Sequence, residues 1–193
     1  MSDRSDTQSS STNIRSIGQT FRLTGWISFW TQLVLGVIAG GILLFAIFSQ
    51  GTGGRNNNPG TGFGVFFAFA GIVALMGGVF IAFRYMQTGR KLLSANPVNR
   101  PRKAETVQVL RLGMIVHFVG MLLTLFGAQA IIGTLFAKAL TSQPISTGVF
   151  TQRDPSQTVQ ALDLLVVQAN TNTITAHFAG LVASVWLLNR ITR

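Results

Sequence analysis

The chain contains no cysteine, so disulfides, thiolate metal centres and cysteine nucleophiles are all excluded. Acidic residues are nearly as scarce: Asp3, Asp6, Glu105, Asp154 and Asp163 are the whole set. The chain offers no paired carboxylates for acid–base work, no nucleophile beside a base and no cofactor fingerprint. These absences point away from an enzyme and from a bound cofactor. Charge of either sign is thin, at 10% of residues, where a soluble domain carries roughly a quarter.

The few charges are also segregated. None lies between Arg22 and Arg55, Arg55 and Arg84, Arg111 and Lys138, or Asp163 and Arg190. Each gap holds an apolar run, at 26–48, 62–83, 112–137 and 164–188. A helix needs about 20 such residues to cross a hydrocarbon core. Buried helices of soluble domains run about 8–20 residues and keep a polar face. The expected fold is therefore all-α: a polytopic membrane protein with a four-transmembrane-helix bundle over residues 21–193. The first run is too long for a signal-peptide core and no small-residue cleavage site follows it, so it stays as an anchor.

Twelve of the fifteen Lys and Arg residues fall on one side of this scheme, in the N-terminus, the 84–111 loop and the C-terminus. The positive-inside rule then predicts both termini and the loop on the cytoplasmic or stromal side, N-in and C-in. The net charge of +10 is explained by topology and by anionic head groups, so membrane lipids are expected partners. Nucleic acid is not, because only Tyr85 interleaves an aromatic ring with the basic run.

Composition predicts a disordered polar tail over 1–20, most clearly over 1–13. Ile14, Ile17, Phe21 and Trp26 recur at near-helical spacing, which fits an interfacial helix or an extension of the first span. Residues 50–61, rich in Gly and Asn, read as a connector and lack the context of a phosphate-binding loop. The second helix is expected to run on to about Leu93 and stop before Asn96-Pro97, and Pro101 to open the third in its first turn. Asp154, Pro155 and Gln157 form a helix-start signal for the fourth.

Small residues recur at helical spacing: Gly64, Gly71 and Gly78; Gly113, Gly120 and Gly127; Gly36 and Gly40; Ala176, Gly180 and Ser184. A seven-residue period of small residues predicts close helix packing in a left-handed bundle. Polar groups within the membrane are the candidate functional residues. They are His117, Gln129 and Lys138 on the third span and Asp163, Gln168, Asn170, Asn172 and His177 on the fourth. Asp163, Asn170 and His177 are seven apart and share a face. Two histidines and a carboxylate suit a metal ion. Measured from the ends of their runs, however, His117 and His177 differ in depth by roughly 9 Å, and Asp163 lies at the opposite surface. The expectation is an inter-helix polar network with no bound metal, and a Lys138–Asp163 pair at the far end.

Several blocks carry a family resemblance: Ser28-Phe29-Trp30-Thr31-Gln32-Leu33-Val34, Gln129-Ala130, Ala137-Lys138-Ala139-Leu140-Thr141, Val167-Gln168-Ala169 with Asn172-Thr173, and His177-Phe178 with Gly180-Leu181-Val182. In these the chain resembles the chloroplast inner-envelope proteins described both as a component of the Tic protein-import translocon and as "permease in chloroplasts", an iron transporter. The resemblance implies one of two roles: an iron permease or permease subunit, or a structural component of an import complex. Four helices make a thin pathway for either role, so a homo-oligomer or a larger membrane complex is expected. A Ser/Arg-rich transit peptide is not seen before the first span, which suggests a cyanobacterial member in the plasma membrane or thylakoid.

Overall fold

The computed structural model describes residues 3–53, 59–94, 96, 98, 100–141 and 161–192. They form four helices, α1 (Asp3–Gly53), α2 (Pro59–Leu92), α3 (Lys103–Thr141) and α4 (Ala161–Thr192), with no strand among them. Lipid offers the backbone no hydrogen-bond partners, so a spanning chain must satisfy its own amides within each helix. All four helices are long and apolar enough to cross a membrane, and the protein is an integral membrane protein. The fourth has the lowest mean hydropathy, 1.3 against 2.0 or more for the others, because it carries most of the intramembrane polar residues.

Successive helices run antiparallel. α1 packs on α2 and α4, α3 packs on α2 and α4, and α2 meets α4 only across the diagonal. Large apolar side chains such as Val37, Phe66, Met76, Phe118 and Phe178 point outward, as a lipid-facing surface requires. Three apolar clusters stack along the axis. Phe21, Ile81, Tyr85, Leu110 and Leu187 close the basic end; Ala39, Leu43, Ala68 and Ala169 fill the middle; Ala46, Ile131 and Val166 close the far end.

The helices exceed the apolar runs that mark them. Even α4, the shortest at 32 residues, spans ~48 Å at 1.5 Å per residue, beyond the ~40–45 Å of a bilayer with its head groups. At the N-terminus the structure departs from the composition. α1 begins at Asp3 in place of a disordered tail to residue 20, and continues into the first span without an interfacial break. Over residues 17–21 this helix has a partner: the α2 extension carries Leu92 and Leu93 alongside, so Gly18 and Phe21 are buried and Ile17 packs on the basic-end cluster. The expected connector at 50–61 shrinks likewise, since α1 continues to Gly53 and α2 starts at Pro59.

α2 ends at Leu92, where Leu93 N–H and Ser94 N–H bond back to Gly89 and Lys91. The Asn96 side chain then accepts from Val98 N–H at 3.0 Å. Pro101 stands just outside α3, whose first turn closes from Thr106 N–H to the Arg102 carbonyl at 3.1 Å. The Asp154-Pro155-Gln157 signal lies outside the described residues.

α1 and α2 touch backbone to backbone. A Cβ on Gly89 would stand 2.6 Å from Arg22 N, and one on Gly25 2.9 Å from Met86 N. A Cβ on Gly41 meets nothing within 4 Å. Gly89→Ala is expected to cost about 1–3 kcal/mol through overpacking, and Gly41→Ala to be neutral or slightly stabilising through helix propensity. Denaturant-titrated circular dichroism in detergent micelles measures both.

Candidate functional site: a buried histidine pair

Between the basic-end and middle clusters the interior turns polar. Gln32 of α1, His117 and Thr124 of α3, and His177, Thr173 and Ser184 of α4 are all at most 1% exposed. The centre is a pair of imidazoles. His117 Nδ1 and His177 Nδ1 stand 3.4 Å apart, with ring centroids at 5.7 Å and the planes inclined at 67°. His177 Nε2 lies 3.1 Å from the Gly71 carbonyl of α2. A carbonyl can only accept, so His177 Nε2 carries the hydrogen. With the rings neutral, His177 Nδ1 then accepts from His117 Nδ1–H. That arrangement leaves His117 Nε2 as a bare acceptor, and it is buried with no hydrogen-bond partner.

This pairing overturns the depth argument. A Cβ on Gly180 would strike the His117 ring, and one on Gly120 the His177 ring. Residue 117 therefore sits beside 180 and 120 beside 177, which places His177 only three residues, about 4.5 Å, from the level of His117. The run ends at 112 and 188 are not level: this register sets 188 beside 109. Asp163 does lie apart, at the far end, where Lys138 Nζ approaches its Oδ2 at 3.5 Å.

The glycines are the sockets of this layer. His117 occupies space left by Gly78 and Gly180, His177 that left by Gly120, Thr124 that left by Gly71, and Tyr85 that left by Gly113. Gly64 faces Ile131, and Gly127 lets α3 meet the α2 backbone at Ala68 N. Hydroxyls extend the network toward the basic end. Ser184 O–H donates to the Gly180 carbonyl at 2.7 Å, so the 2.9 Å contact with Tyr85 is donated by the phenol. Thr124 and Thr173 donate back to the carbonyls of Gly120 and Ala169. Gln32 gives its amide to Ser28 Oγ at 2.7 Å, and its Oε1 is buried with no partner. Asn170 donates to the Val166 carbonyl, and its Oδ1 is unpartnered too.

The remaining candidates do not join this layer. Gln129 and Gln168 are exposed on the outer surface, and Gln168 donates to the half-buried Asn172 at 3.1 Å. Asn170 is buried, nearer the middle cluster. Gln32, Ser28, Tyr85 and Ser184 were missed as network members. Gln32 had a legible signal, being an amide inside a charge-free run. No group of three or more His, Asp or Glu residues converges among the described residues.

Four apolar antiparallel helices closed around a polar layer define an all-α polytopic membrane protein. The chain belongs to the family described as "Protein of unknown function (DUF3611)", which matches residues 11–192. It is similar to Protein TIC 21, chloroplastic, of Arabidopsis thaliana, at 41% identity over 177 residues. That match covers 89% of this chain and 56% of the plant protein, so the chain spans little more than half the length of this relative. No solved structure matches the chain.

Gly120→Ala drives a methyl group into the His177 ring and is expected to cost about 1–3 kcal/mol. In a His177→Ala background most of that cost disappears, which a double-mutant cycle of unfolding free energies reads directly.

Proposed function

We propose that the protein is a membrane transport protein, a permease or permease subunit whose cargo is a metal ion such as Fe²⁺. The observation that carries this reading is two buried acceptors without donors in the polar layer, Gln32 Oε1 and His117 Nε2, with Asn170 Oδ1 a third nearer the middle cluster. A bundle held together only for structure pairs its buried acceptors. Imidazole nitrogen and amide oxygen are ligands that a passing Fe²⁺ accepts, without the thiolates that would hold it. The imidazoles fill their glycine sockets, so passage through the layer requires the rings to swing.

A second reading, a structural component of a protein-import complex, is favoured by a different observation. Gln129, Gln168, Thr171 and Thr175 face outward at membrane depth, and polar groups there serve contacts with another membrane protein.

Reconstituted in liposomes, the wild-type chain is expected to take up Fe²⁺ above empty vesicles. His117→Gln and His177→Gln should lower uptake about tenfold or more, with Asp163→Asn retaining most of it. Absence of uptake by the folded chain would discard the permease reading in favour of the assembly role.

The orientation follows from charge: both termini and the 84–111 loop on the cytoplasmic side of a cyanobacterial plasma membrane or thylakoid. Because the chain has no cysteine, Asn96→Cys supplies one reporter on this loop. An impermeant maleimide should reach it only when the cytoplasmic face is opened.

A further inference from the structure

At the basic end, α3 and α4 leave between them an outward-facing groove with a volume of about 700 Å³. Its lining is divided along the membrane normal. Leu181, Val182 and Val185 line it toward the bilayer centre, Arg111 and Trp186 follow at one level, and Val107, Leu188, Asn189 and Thr192 line its mixed, more polar end. Arg111 and Arg190 bound the charge-free stretches of their helices, so this polar end sits at head-group level. Trp186, 59% exposed, occupies the depth at which amphipathic rings mark the membrane interface. Arg111 is exposed and makes no ion pair or hydrogen bond among the described residues.

We propose that this groove binds an anionic phospholipid, with the phosphate on the Arg111 guanidinium and Asn189 amide and an acyl chain along Leu181, Val182 and Val185. The placement of charge matches a lipid: the Arg111 cation stands at interface level and the lining toward the bilayer centre is wholly apolar. A partner helix, apolar along its length at this depth, would bury the Arg111 charge uncompensated, whereas a phosphate accepts two parallel N–H bonds from a guanidinium. The site is independent of what the histidine pair does.

The full chain in detergent is titrated with dioleoylphosphatidylglycerol and, separately, with dioleoylphosphatidylcholine, and bound lipids are counted by native mass spectrometry. Wild type should retain the anionic lipid preferentially. Arg111→Gln should lower its affinity about fivefold, the effect of one cation near a lipid surface. Val182→Trp, which fills the apolar part, should lower it while leaving every charge in place. Arg84→Gln, which removes an exposed cation from α2, should change it less than twofold. Equal losses in Arg84→Gln and Arg111→Gln would reduce the effect to diffuse surface charge and overturn the site. So would the absence of any preference for the anionic lipid, or an unchanged affinity in correctly folded Val182→Trp.

Discussion

Two imidazole rings placed inside an apolar bundle set the terms for everything around them. A buried polar ring left without partners costs several kcal/mol in hydrocarbon, so each histidine must find a neighbour and also room. The Nδ1–Nδ1 contact and the Gly71 carbonyl supply the neighbours; Gly78, Gly120 and Gly180 supply the room. Together these fix the register of α2, α3 and α4. With 117 beside 180 and 120 beside 177, a one-residue slip of α4 would set a side chain against each ring. The other large-into-small pairs, Tyr85 at Gly113, Thr124 at Gly71 and Ile131 at Gly64, repeat that register along the bundle. In lipid, where apolar surface alone gives helices little reason to associate, such steric pairing is what distinguishes one arrangement from its neighbours.

The parts of this arrangement legible in the sequence are those that depend on one helix at a time. Four gaps without charge mark four spanning helices, because a charge at the bilayer centre is costly wherever it sits in the chain. The seven-residue glycine periods likewise mark the faces that pack. What stayed hidden depends on two helices at once. Whether His117 and His177 share a depth follows from how α3 slides along α4, and the ends of apolar runs do not record it: Leu112 and Leu188 look equivalent, yet 188 sits beside 109. The polar start of α1 misleads for a similar reason. Around Gly18 it finds a partner in the part of α2 beyond the membrane, through Leu92 and Leu93, which composition of the segment itself does not show.

Polar residues within the spans divide into two populations that sequence alone reads as one. Asn170 and His177, seven apart, point inward; Gln168, Thr171 and Thr175, on the same helix, point outward. The inward set is enclosed by four helices, so its chemistry belongs to a single chain. The outward hydroxyls are satisfied within α4, as Thr171 and Thr175 donate to the carbonyls of Val167 and Thr171. Gln168 spends one amide hydrogen on Asn172. Such groups sit in lipid at modest cost and remain able to exchange their partners, which is the property a contact face within a membrane needs.

The distribution of stabilising contacts bears on the meaning of the polar layer. The basic end is closed by Phe21, Tyr85, Leu110 and Leu187 and by the α1–α2 backbone contact at Gly89. The far end is closed by Ala46, Ile131 and Val166 and joined by the Lys138–Asp163 pair. Each end already selects the antiparallel square. The layer between them adds specificity of register, and a register needs only large and small side chains, which leucine facing glycine would provide. Instead the positions hold imidazoles and an amide, with His117 Nε2 and Gln32 Oε1 buried and unpaired. An unsatisfied acceptor lowers stability by about 1–3 kcal/mol, and packing returns nothing for it. On the transport reading proposed above, the nitrogen and oxygen chemistry of this layer serves a species that visits it, and not the fold that surrounds it.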